Sequence, residues 1–264
     1  MPQHIEKALS RFAHSPPTKP EDSPHHADPI IYGQKTQYPK SHDPSNPLDE
    51  KGIKRLQEIA GVLLYYACII GCSMLPALRC LATAQSKTTE TTAKACTKLL
   101  NYAATHPDAT VRYNKSGMIL RIHSDASYLS ETEARSRAGR FFYLGDNTNE
   151  SSPDAPPPTL NGAIHINSSI MNNVMASATK AEVGALFHNA QDRCTFRQCL
   201  AFLDHPQPAT PIQTDNTCVK GIINDSVKQK QSKAIDIDAI LLGSRSRQTR
   251  AIPNLLETRK RQQR

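Results

Sequence analysis

The order of apolar periods between residues 118 and 223 constrains the fold more than any other feature of the chain. Met118, Leu120 and Ile122 alternate onto one face of a predicted strand over 118–126. A second period-2 run covers 138–144, and 163–166 begins another after the polar, proline-rich stretch 146–162. A helical period follows over 177–204, with Ser177 as its cap and Ala181, Ala185, Leu186, Ala190, Leu200 and Leu203 on its apolar side. Pro206, Pro208 and Pro211 end that helix, and a short strand at 212–214 leads into a helix near 219–223. Three strands, a helix, a strand and a helix predict an α/β (α+β) fold, a mixed sheet with flanking helices.

Three carboxylates fall at telling places in that order. Asp125 lies on the long strand, Glu182 in the first turns of the long helix, and Asp215 directly after the short strand. A buried carboxylate is costly unless it is paired, hydrogen-bonded or bound to metal. Each residue also has an ordinary structural explanation. Asp215 suits a helix cap, Glu182 a first-turn acid favoured by the helix dipole, and Asp125 a strand-end turn. Strand ends and helix starts converge when the strands lie side by side. Three carboxylates meeting there repel and need cations, and hard oxygen ligands suit Mg²⁺ or Mn²⁺ in two-metal phosphoryl chemistry.

Upstream, residues 1–48 hold many prolines and no apolar period, which predicts a disordered arm or linker. Residues 49–107 read as helical. Asp49 caps a helix through Ile53, Leu56, Ile59, Ala60 and Leu63; a second fits 74–85; Thr88 or Thr89 opens a third that ends at His106 and Pro107. Val111 and Tyr113 are assigned to a further short strand, followed by a turn at 115–117. One more helix is expected over 233–242, then a basic, solvated tail from 244.

Residues 59–78 lack any charge and reach the minimum length for a membrane span. Gly71, Cys72, Ser73 and Pro76 interrupt them, so two buried helices joined by a turn are expected instead, and no membrane partner. The N-terminus lacks the apolar core of a signal peptide. Seven cysteines, an odd number with no CxxC pair, read as reduced structural thiols and not as a zinc site. An intracellular protein, cytoplasmic or nuclear, is the corresponding expectation. The net charge of +8 and pI near 9.1 fit a polyanionic partner, nucleic acid first, or a merely solvated basic surface.

With these readings in place, HSDASYLS, ARSRAG, ATKAEVGALFHNA, ATPIQTDN and QSKAIDI, in that order, resemble the ribonuclease H region of copia-type LTR retrotransposon polyproteins. LQEIAGVLLYYA and AKACTKLLNYAATHPDATVRY look like the segment joining the reverse transcriptase to that nuclease. The resemblance covers about 52–242 and implies a ribonuclease H-like domain over 108–243 behind a helical connection segment at 49–107. It implies two Mg²⁺ or Mn²⁺ ions held by Asp125, Glu182 and Asp215, and hydrolysis of the RNA strand of an RNA–DNA hybrid. The implied partners are that hybrid and the remaining polyprotein segments. Arg135, Arg137, Lys180, Lys220 and Lys233 are candidates for its phosphate backbone, or ordinary surface charges.

Departures from the family pattern set further expectations. The paired aspartates of a polymerase palm are missing, so no polymerase activity is expected. The family's lysine-led helix stands as Lys233-Ala234-Ile235-Asp236, but its usual continuation is replaced by Asp238-Ala239-Ile240-Leu241-Leu242-Gly243. The last strand and helix, with a fourth carboxylate, are not recognisable; Asp236 or Asp238 would substitute only if the helix shifted. Ile69-Ile70 stands where the family often has an acidic or polar turn. These changes suggest a truncated element copy with an uncovered sheet edge, marginal stability and weakened or lost activity. A non-catalytic nucleic-acid-binding module and an inert remnant are the alternatives.

Overall fold

The computed structural model describes residues 1, 3–26, 43–85, 87–146 and 159–223, and the backbone of 256–258. The chain forms two compact units that divide between Val111 and Arg112.

In the first unit, α1 (His4–Arg11) and α2 (Glu50–Ile69) precede α3 (Leu75–Ala84) and α4 (Glu90–Thr105). Asp49 caps α2 by accepting the Gly52 N–H at 2.8 Å, and Leu56, Ile59, Ala60, Leu63 and Tyr66 bury its apolar stripe. The uncharged run 59–78 does break into two helices. At Gly71 a Cβ would stand 2.6 Å from the Tyr66 ring, so a larger residue would displace that buried tyrosine. A 3₁₀ turn at Cys72–Met74 follows, and Pro76 sits in the first turn of α3. Among the described residues no helix is long and apolar enough to cross a membrane. Thr89 opens α4 with a capping box made with Thr92.

Helix α1 corrects the expectation of a disordered arm over 1–48 for its own residues, whereas residues 2 and 27–42 of that stretch lie outside the described residues. Ile5, Ala8 and Phe12 recur at helical spacing and are buried, with α1 packed on α2 and α4. Eight residues would not hold a helix alone in water. Burying Ile5 and Phe12 contributes roughly 1.5–3 kcal/mol each, enough to dock it.

The second unit is a five-stranded mixed sheet with flanking helices, the fold class predicted. Its strands are β1 (Ile119–Ser127), β2 (Arg137–Gly145), β3 (Ala163–Ile170), β4 (Ile212–Thr214) and β5 (Leu256–Thr258), in the order β3-β2-β1-β4-β5. The three long strands pair antiparallel, and β4 and β5 add in parallel. Helix α5 (Ala178–Phe202) connects β3 to β4, and α6 (Thr217–Ile223) follows β4. The alternation at the start of β1 is realised: Leu120 and Ile122 pack with Phe142, Val183, Leu186, Leu200, Ile212 and Val219 in one core.

Two expectations about strands fail. Val111 and Tyr113 lie in a stretch without regular secondary structure. There the Asn161 side chain serves the backbone in place of a ladder, accepting the Asn114 N–H at 2.8 Å and donating to the Asn114 carbonyl at 3.0 Å. The last strand, expected to be missing, is present as β5, whose backbone pairs with β4 inside the segment read as a solvated tail. Strand pairing of this kind needs only main-chain groups, so composition did not announce it. The helix expected over 233–242 lies outside the described residues, as do Lys233, Asp236 and Asp238.

Candidate metal centre

The three carboxylates meet because of strand register. Ile122 and Gln213's partner His123 pair with Ile212 and Gln213 in the parallel ladder of β1 and β4. Continued by two residues, that register sets Asp215 beside Asp125. Helix α5 begins next to them, with Ser177 accepting the Lys180 N–H at 3.2 Å, and its second turn presents Glu182. Oxygens of Asp125, Glu182 and Asp215 all lie within 4.8 Å of one another.

The ordinary explanations for these acids do not account for them. Asp125 is inside β1, opposite Gly139 of β2, and not in a turn. Helix α6 is capped by Asn216, whose Oδ1 accepts the N–H groups of Cys218 at 3.0 Å and Val219 at 3.1 Å. Asp215 is not needed for that task. Glu182 is 6% exposed, too deep and too far into α5 for a surface acid answering the helix dipole.

The electrostatics are unfavourable as they stand. Burial pushes the Glu182 carboxyl up to about 8, and the charges of Asp125 and then Asp215 push in the same direction. Asp125 keeps an exposed edge, yet the protein around it strips part of its water; that burial and then the Asp215 charge raise its pKa. The Ala126 N–H, donated to Asp125 Oδ1 at 2.7 Å, works against both shifts. Glu182 Oε2 is buried without a hydrogen-bond partner. Among the described residues no lysine or arginine forms an ion pair with any of the three. A set of hard oxygen donors with an orphaned buried oxygen and no neutralising side chain fits a divalent cation of the Mg²⁺ or Mn²⁺ type.

The basic residues divide. Lys180, in the first turn of α5, and Lys220, in the last turn of α6, are half-buried and flank the carboxylates in sequence. Arg135 pairs with Glu133 at 2.9 Å on the surface. Arg137 is corrected as a backbone-binding candidate: it is buried, donates to Glu131 at 2.7 Å, and donates to the Ser168 carbonyl at 3.3 Å. Its charge is engaged inside the hairpin. None of the seven cysteines, all among the described residues, is paired in a disulfide.

One feature near the carboxylates was missed by sequence reading. Asn189 sits on the buried stripe of α5 and donates through Nδ2 to Ser124 Oγ at 2.7 Å and to the Gly139 carbonyl at 3.3 Å. The signal was available as a polar residue among Ala185, Leu186 and Ala190, on a helix face otherwise apolar.

No protein-family model matches this sequence, and no curated protein matches it at a significant level. Three solved structures can be set beside it. LC11-RNase H1, isolated from compost by a metagenomic approach, is 14% identical, with 55% of this chain and 86% of that chain covered and a TM-score of 0.38. LC11-RNase H1 in complex with an RNA/DNA hybrid is 13% identical, with 54% and 86% covered and a TM-score of 0.37. The foamy viral protease-reverse transcriptase in complex with an RNA/DNA hybrid is 14% identical, with 80% of this chain but 27% of that chain covered and a TM-score of 0.45. The ribonuclease H-like fold of the second unit rests on its own strand order, strand orientations and helix placement.

Proposed function

We propose that this chain is a reverse transcriptase connection and ribonuclease H region of a copia-type retrotransposon polyprotein, and that its chemistry is hydrolysis of the RNA strand of an RNA–DNA hybrid. The observation that carries the proposal is the convergence of Asp125, Glu182 and Asp215, with oxygens within 4.8 Å and, among the described residues, no cationic side chain paired to them. These three residues would hold two Mg²⁺ or Mn²⁺ ions. When bound, such ions supply a nucleophilic water and stabilise charge on the leaving 3′ oxygen.

The chain's own residues do the rest. Asp125 has one oxygen fixed by the Ala126 N–H, which limits its rotation. Glu182, held near neutrality by burial and by its two neighbours, ionises when a cation offsets their repulsion. Lys180 and Lys220 are the remaining candidates for phosphate contacts close to the site, with Arg135 beyond them.

A second reading has one observation in its favour. The carboxylate group holds three members among the described residues, where the family pattern has four. On that reading the chain binds hybrids without cutting them. The test is incubation of the full chain with a hybrid labelled on the RNA strand, with Mg²⁺ or Mn²⁺, beside Asp125→Asn. Cleavage by the parent alone supports the nuclease. Salt-sensitive binding without cleavage by either supports the second reading, and no binding at low salt refutes both.

A further inference from the structure

The alternation that buries Leu120 and Ile122 continues to Ser124, which places a hydroxyl on the core side of β1 beneath α5. A buried hydroxyl needs a partner, and α5 supplies Asn189, itself 0% exposed. Gly139 is the cross-strand partner of Asp125, and Ser124 immediately precedes Asp125. One amide group therefore contacts both strands beside this carboxylate, the Ser124 hydroxyl of β1 and the Gly139 carbonyl of β2. Because a carbonyl can only accept, the Gly139 contact requires the Asn189 nitrogen on that side.

Asn189 also lies seven residues after Glu182. Seven residues are nearly two helical turns, so both side chains leave α5 on the same face, about 10.5 Å apart along the axis. The core contacts along this face are apolar and would tolerate a small slide or rotation of the helix, and the further polar tie of α5 to β2 joins the long Arg140 side chain to a half-exposed aspartate, Asp192. The two hydrogen bonds of Asn189 would not, because their donor and acceptors are fixed in direction. Asn189 Oδ1 is buried and without a partner, so this residue is retained at a cost that simple core filling would avoid.

We infer that Asn189 is a positioning residue: through Ser124 and Gly139 it sets the rotation and height of α5 on β1 and β2, and so fixes Glu182 relative to Asp125. The inference rests on the reading of the three carboxylates as a cation site. It concerns the distance between two ligands, not ligation by Asn189 itself.

Mn²⁺ titration of the full chain, followed by electron paramagnetic resonance, tests it without reference to cleavage. Asn189→Ala should weaken Mn²⁺ binding by about tenfold, the lower end of what outer-shell changes cause. Ser124→Ala, which leaves the Gly139 contact in place and removes only a hydroxyl, should weaken it by less and guards against a poorly folded Asn189 variant. Leu200→Ala, in the same core near the far end of α5, is the control: it should lower the melting temperature at least as much and leave Mn²⁺ affinity unchanged. Parent-like Mn²⁺ affinity in folded Asn189→Ala overturns the inference while leaving the carboxylate site standing. Equal weakening by Leu200→Ala overturns it too, by reducing the effect to lost stability. Parent binding that is absent, or that survives Asp125→Asn, removes the carboxylate reading and this inference with it.

Discussion

Replacing Glu182 with glutamine should stabilise the metal-free protein at pH 8 and leave its stability unchanged at pH 4. The glutamate carries an ordinary pKa of 4.5 in the unfolded chain and about 8 in the folded one, raised by burial, then Asp125, then Asp215. Between those values the folded state holds a proton that the unfolded state has released. Stability from this group is therefore fully present below pH 4.5 and is lost as pH rises towards 8. At about 1.4 kcal/mol per pKa unit, the shift sets a ceiling of about 5 kcal/mol. The glutamine amide must itself find a place in a buried site, so a gain of roughly 2–4 kcal/mol is expected at pH 8. At roughly 2–4 °C per kcal/mol the variant should melt on the order of 5–15 °C above the parent, in EDTA, by circular dichroism. The neutral amide also removes one anionic ligand. Mg²⁺ should therefore raise the parent's melting temperature at pH 8 and do little for the variant. Equal melting of parent and variant at pH 8, or a variant destabilised at both pH values, would refute the reasoning, because it would mean that the glutamate is not held against repulsion.

Other perturbations separate the site from its scaffold. Arg137→Ala breaks a buried ion pair with Glu131 and should cost about 3–5 kcal/mol by urea unfolding; where the variant remains folded, the salt slope of hybrid binding should match the parent's. Lys180→Ala and Lys220→Ala should each weaken hybrid binding at every sequence and lower that slope by about one, read by fluorescence anisotropy across a salt series. Asn216→Ala should cost about 1 kcal/mol through loss of the α6 cap, whereas Asp215→Asn should leave α6 intact in amide exchange and abolish Mn²⁺ binding.

The parts of this protein that follow a period were legible in its sequence. Asp49 and Thr89 begin helices as their side chains predict, and Gly71 with Pro76 divides the uncharged run where expected. Asp125, Glu182 and Asp215 could be singled out from element order, but their meeting depends on the parallel register of β1 and β4. That register is a tertiary fact. The miss at α1 has a different cause: a proline-rich composition masked the spacing of Ile5, Ala8 and Phe12, which is helical when read residue by residue. Arg137 was misread because its partner is six residues away across a hairpin, where no helical spacing marks the pair. Tyr113 has strand propensity, but its hydroxyl donates to the Ala163 carbonyl at 2.9 Å beside an asparagine-bridged segment without regular structure. The pairing of Asn189 with Ser124 was half visible, since each residue breaks an apolar pattern, but nothing local joins residues 65 positions apart.

The claim that these three carboxylates form a cation site is tested most directly by crystals of the full chain grown with Mn²⁺ and measured at the manganese absorption edge. The account predicts an anomalous peak at coordination distance, about 2–2.3 Å, from oxygens of Asp125, Glu182 and Asp215, absent in crystals of Asp125→Asn. A structure in which saturating Mn²⁺ leaves the space between these residues without a peak would contradict it.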